Sequence, residues 1–222
     1  MRHVVLLLSL VATSGAAHAA LPYCDVPPTE LHRVICTSGD GNLTRRAERL
    51  IDLADRTQKA HPERERKLDA ELRGFFDQTT QTCLKKKKHW IPCAYDAFDR
   101  KLVDLSVRLI GTREGALPGL YRYTESKVVS GELVFLRDDD GGASLSMDTV
   151  VTGGTHVCAL VAEGMQVAPA GFVWSAPEQP ACRVAVNAGK RAGQLTIEAT
   201  SECEAFFCGN GAIFTGTWTR RR

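Results

Sequence analysis

Long apolar runs are missing from this chain. Beyond a short stretch near its start, nothing approaches the roughly 20 consecutive apolar residues that a bilayer span requires, so stable membrane insertion is not expected. Metal-ligand spacing is missing too: there is no Cys-x-x-Cys, and His32, His61, His89 and His156 form no pair at helical spacing, which argues against zinc. No nucleophile stands beside a base and no paired carboxylates announce a pocket, so no catalytic residue, cofactor or enzymatic activity is expected. The glycine pairs around Gly153 and Gly209 do not lie between a strand and a helix, as a phosphate-cradling loop would. Asp138, Asp139 and Asp140 lack the alternating oxygen ligands and trailing glutamate of a calcium loop and read as a hairpin turn. Glu202 and Glu204 flank Cys203 with negative charge, which raises a thiol pKa and opposes thiolate catalysis.

What is present begins with Arg2, His3 and an apolar stretch over residues 4–11, softening into small residues that end at Ala17, His18 and Ala19. This pattern predicts a signal peptide over residues 1–19, cleavage near Ala19 and a periplasmic or secreted product. Bulky Tyr23 before Cys24 argues against a lipid anchor there. In an oxidising compartment all eight cysteines (Cys24, Cys36, Cys83, Cys93, Cys158, Cys182, Cys203 and Cys208) are expected in disulfides.

The texture changes near the glycine- and proline-bearing residues 111–119, read as a linker over 112–119. Before it, Leu43, Ala47, Leu50, Ile51 and Ala54 recur at helical spacing, as do Leu68, Leu72, Phe75, Phe76 and Thr79, and then Tyr95, Phe98, Leu102, Leu105 and Leu109. A short helical turn over residues 31–35 precedes them. After it come short segments rich in Val, Thr, Phe and Tyr, separated by turns that tolerate positive φ. The expected fold is α+β in two domains: a disulfide-stapled helical bundle over residues 20–111, then a small antiparallel β-barrel of about eight strands over 120–222. Trp174, Trp218, Phe172 and Phe214 could line a ligand cavity in the barrel, but aromatic residues at strand spacing read first as core.

The cysteine-bounded segments of the first half carry a resemblance: Tyr23-Cys24, then His32 to Cys36, an Arg-Arg helix, aromatics before Cys83, and Cys93 followed by Tyr95, Phe98, Arg100, Lys101 and Leu102. Residues 22–110 resemble the LprI N-terminal domain family, small exported helical domains linked by name to lysozyme inhibition. The core apolar positions follow the family, whereas His32, Thr44, Phe75-Phe76 and Thr79-Thr80 depart from its polar pattern. In that family the domain often precedes a β-rich inhibitor domain of the MliC type, which the second half resembles in architecture only. Ser130, Gly131 and Glu132 come nearest to the Ser-Gly-x-x-Tyr segment of such inhibitors, without the tyrosine. The resemblance implies a lysozyme inhibitor acting by cleft occlusion. The alternative is a non-inhibitory periplasmic binding or adaptor protein, or an immunity protein against a toxin.

Four cysteines in each half allow three pairings. Locality favours Cys24 with Cys36, Cys83 with Cys93, Cys158 with Cys182 and Cys203 with Cys208. Residues 20–113 carry 18 Lys plus Arg against 14 Asp plus Glu, and residues 114–222 carry 9 against 12. An acidic β half would steer in a cationic lysozyme or another cell-wall-acting protein. Candidate partner residues are Ser130, Glu132, Asp138, Asp139 and Asp140, together with Lys85, Lys86, Lys87, Lys88 and Trp90 between Cys83 and Cys93. Export makes nucleic acid an unexpected partner for those lysines, and adjacent lysines do not form the aromatic-interleaved stripe that tracks a phosphate backbone. A buried Trp90 would make this loop structural, and an exposed one would point to an anionic partner.

Overall fold

The computed structural model describes residues 24–110, 118–154, 156–209 and 211–221. The expected signal peptide over 1–19 and nearly all of the expected linker lie outside them. Four helices come first: α1 (Glu30–Thr37), α2 (Gly41–Ala60), α3 (Glu65–Cys83) and α4 (Trp90–Ile110). Asp40 caps α2 by accepting from the Asn42 and Leu43 N–H groups at 3.0 and 2.9 Å. It also accepts the Tyr95 hydroxyl at 2.8 Å, so one carboxylate starts α2 and ties it to α4. The helical core follows the sequence stripes, though Ile51, Leu72, Phe75, Tyr95 and Leu109 pack only partly against it, and Leu53, outside the stripes, is fully buried. Phe75, Phe76 and Phe98 meet edge to face, and His32 stacks on Phe76 at 3.9 Å.

Strands β1 (Gly119–Tyr123), β2 (Val129–Arg137), β3 (Ala143–Val151), β4 (Val157–Ala168), β5 (Gly171–Ser175), β6 (Arg183–Ala188), β7 (Gln194–Ala199) and β8 (Gly216–Arg220) are antiparallel in chain order. Pairing of β1 with β8 closes the barrel, which removes exposed sheet edges. Its interior is filled by side chains: Phe172, Phe214 and Trp218 are buried, and the Trp218 indole N–H donates to the Phe214 carbonyl at 3.1 Å. Trp174 is partly buried and packs against the same core.

One element escapes the strand pattern, a fifth helix, α5 (Ser201–Phe207), between β7 and β8. Its first turn carries Glu202 and Glu204, the charge that a helix N-terminus favours. With α5 the barrel disulfides depart from locality. The bonds are Cys24–Cys36, Cys83–Cys93, Cys158–Cys208 and Cys182–Cys203, so the expected Cys158–Cys182 and Cys203–Cys208 pairs are not formed. Cys203 lies within α5 and Cys208 just beyond it, so their Cβ atoms leave the helix in different directions. Instead Cys208 bridges to Cys158 on β4, with Cα atoms 4.0 Å apart, and Cys203 reaches Cys182 just before β6. Closing 50 residues through Cys158–Cys208 restricts the unfolded chain by about 4 kcal/mol, against about 3 kcal/mol for the ten-residue Cys83–Cys93 closure.

Helices and barrel share a seam. In β2 the residues from Leu133 to Leu136 are all buried: Leu133 and Phe135 face the barrel core, while Val134 and Leu136 join the helical core. Ser106 of α4 donates its hydroxyl to the Arg137 carbonyl at 2.8 Å and accepts the Arg137 N–H at 2.9 Å. The acidic triplet turns out to be a clamp at the same seam. It forms the β2–β3 turn, as expected, and pairs with α2: Arg49 with Asp138, and Arg56 with Asp139 and Asp140. Burying Val134 and Leu136 contributes about 1.5–3 kcal/mol each, whereas the water-exposed pairs of Arg56 contribute about 0–1 kcal/mol, and desolvation of the buried Asp138 offsets its attraction to Arg49. Apolar burial therefore holds the two parts together, and the ion pairs set their orientation. Replacing Ser106 by Ala should lower stability by about 1–3 kcal/mol, because both Arg137 backbone groups lose their partner. The urea midpoint reads this directly, and an unchanged midpoint would count against the role given to Ser106.

Candidate functional site

Beside the seam lies a cleft of about 380 Å³ between α2, α4 and the outer face of β2, β3 and β4. On α4 the spacing of Pro92, Tyr95, Asp96 and Asp99 puts all four on one flank, and each lines the cleft. The barrel wall follows from strand register. Glu132 lies opposite Asp148, which lies opposite Ala159; Val134, Ser146 and Val161 form the next row, and Ser130, Val150 and Val157 the row on the other side. Because side chains alternate between faces, these rows share the outer surface. Val157 is 53% exposed and Val161 39%.

Four carboxylates converge here, Asp96, Asp99, Glu132 and Asp148, against two arginines, Arg46 and Arg221. Arg46 grips Asp99 through two bonds of 2.7 and 3.2 Å, and its guanidinium lies over the Tyr95 ring at 4.3 Å. Burial, with the Asp40 carboxylate beside it, pushes the Tyr95 phenol up to about 12. Arg221 bridges Glu132 at 3.1 Å and Asp96 at 3.4 Å. Burial raises the Asp99 carboxyl above its ordinary value despite Arg46, with Asp96 and Glu132 adding to the rise. Asp148 is open to solvent at the mouth but hemmed in by protein on its other sides. That desolvation, reinforced by Glu132, raises its carboxyl as well. Among the described residues no cation pairs with Asp148. The cleft is thus an acceptor of positive charge, with Ala159 and Val161 providing an apolar wall for the stem of a basic side chain. Among the described residues no group of three or more His, Cys, Asp or Glu side chains is placed to hold a metal ion.

Of the residues singled out from the sequence, Glu132 is in the cleft and Ser130 is exposed two positions before it on the same strand. Asp138, Asp139 and Asp140 are not brought to it; they face Arg49 and Arg56. Lys85, Lys86 and Lys88 are exposed in a 3₁₀ turn, Leu84–His89, that also contains Lys87, while Trp90 packs half-buried against the helical core. All eight cysteines are oxidised. Sequence reasoning missed Arg46, Tyr95, Asp96, Asp99, Asp148 and Arg221. A signal existed for the three on α4, whose spacing sets them together beside the apolar stripe; Asp148 and Arg221 depend on strand register.

An ionised Asp148 is disfavoured by folding, since its folded pKa lies above the ordinary 3.8. The cost is present at neutral pH and is relieved as pH falls through the raised value. Asp148→Asn should therefore raise the denaturation midpoint at about pH 7 and leave it unchanged at about pH 3, where both states are protonated. Equal midpoints at both pH values would contradict this account.

No family model, curated protein or solved structure matches this chain, so its functional reading rests on its own sequence and geometry.

Proposed function

We propose that this is an exported envelope protein that inhibits a lysozyme by covering its cleft, with the acidic seam cleft receiving basic side chains of the enzyme. One observation carries the reading: four carboxylates against two arginines, with Asp148 in no ion pair among the described residues, beside the exposed apolar row Val157, Ala159 and Val161. Lysozymes of the animal type are cationic, and such a partner would be steered by the acids and held by the apolar row. The resemblance of residues 22–110 to the LprI family supports the same partner. Four disulfides and the leader-like residues 1–19 support a periplasmic or secreted setting.

The site is concave, which favours a second reading: a protein that holds a basic partner without entering its active site, as an adaptor or immunity protein would. One assay separates the two. In a turbidity assay of cell-wall lysis at low ionic strength, the protein should slow a c-type lysozyme, and added salt should relieve the effect. Changing both Glu132 and Asp148 to Lys should weaken inhibition on the order of tenfold or more, since like charges then meet. Binding without slowing selects the second reading, and neither binding nor slowing at low salt rejects both.

A further inference from the structure

The turn Leu84–His89 concentrates positive charge that nothing in the fold uses. A 3₁₀ helix has three residues per turn, so Lys85 and Lys88 share one side, and Lys86 and His89 the next. All four of these side chains are exposed. Several cations of the helical half and the seam are paired: Lys101 and Arg108 with Glu71, Arg46 with Asp99, and Arg49 and Arg56 with the Asp138–Asp140 turn. Among the described residues Lys85, Lys86 and Lys88 make no ion pair. The sequence offers them none nearby, since no Asp or Glu lies between Asp77 and Asp96.

The ends of the turn are held together by Cys83–Cys93, with Cα atoms 5.4 Å apart. Helix α4 follows directly from the turn at Trp90. Trp90 itself packs half-buried on the helical core, so the ring is structural, as expected for a buried one, and only the lysines are left for a partner to meet. What remains is a rigid cluster of point charges pointing several ways, suited to a diffuse plane of negative charge.

We propose that residues 84–89 form a docking knob for anionic lipid headgroups, holding the exported protein peripherally at a membrane surface. This contact is separate from the acidic cleft and does not depend on the lysozyme reading. Lysines near an anionic surface each strengthen partitioning about fivefold, so three give on the order of 100-fold, all of it sensitive to salt.

The test is sedimentation of the processed protein with vesicles. At low salt it should pellet with vesicles containing phosphatidylglycerol, stay in solution with phosphatidylcholine alone, and leave the anionic vesicles when salt is raised. The variant carrying Lys85→Gln, Lys86→Gln and Lys88→Gln should bind on the order of 100-fold more weakly. A control carrying Lys127→Gln, Lys190→Gln and Arg191→Gln, three exposed cations of the barrel, should bind as the parent does. Equal losses in the two variants would reduce the effect to net charge and overturn the knob. Absence of binding to anionic vesicles would overturn it too, and binding to soluble polyphosphate in that case would reassign the turn to a phosphate polymer.

Discussion

A strand that is apolar on both faces constrains everything else in this protein. From Leu133 to Leu136, β2 buries every side chain, odd positions inward and even positions outward. A closed barrel can bury only its inside, so the even residues would face water unless another layer covered them. The helices are that layer. Ser106 and the Arg–Asp pairs fix where α2 and α4 come to rest. The cleft is what remains beside the seam, where α4 lies over the barrel without filling the space down to β3 and β4. Seam and site therefore share one cause.

Much of this architecture is legible in the sequence because it is locally encoded. The helical stripes, the approximate strand count, the glycine-bearing turns and the two short-range disulfides of the first half need only neighbours in the chain. The unbroken run from Leu133 to Leu136 was also on view; its lack of alternation is the mark of a strand covered on both sides. Helix α5 was harder to see, since Ala205, Phe206 and Phe207 are as much at home in a strand as in a helix. The candidate site was the least legible part. Glu132 could be picked out as an acid on a strand, but its partnership with Asp148 and Asp96 arises from register and from the angle at which α4 meets the barrel, neither of which leaves a local trace.

Charge is distributed with the same economy. Acids that looked like a partner surface at Asp138–Asp140 pair with Arg49 and Arg56, and four other acids meet at the cleft against two arginines. Lysine in the 84–89 turn is segregated from both. The molecule presents two differently charged sites that the cysteine framework keeps apart: Cys83–Cys93 fixes the basic turn, while Cys158–Cys208 and Cys182–Cys203 fix the barrel.

The nesting of the two barrel bonds bears on biogenesis. Cys182–Cys203 lies wholly inside the loop closed by Cys158–Cys208, and the cysteines nearest in sequence, Cys203 and Cys208, are not partners. An unfolded chain oxidised rapidly joins near neighbours first, because short loops close at the least entropic cost. Such a chain would lock Cys203 to Cys208 and strand Cys158 and Cys182 with each other. Reaching the native set then requires a thiolate to attack a formed bond and reshuffle it, a process that takes minutes to hours without help. The native pairing of this barrel is therefore favoured when folding brings β4 and α5 together before the cysteines are oxidised, and oxidation ahead of folding favours misbridged chains.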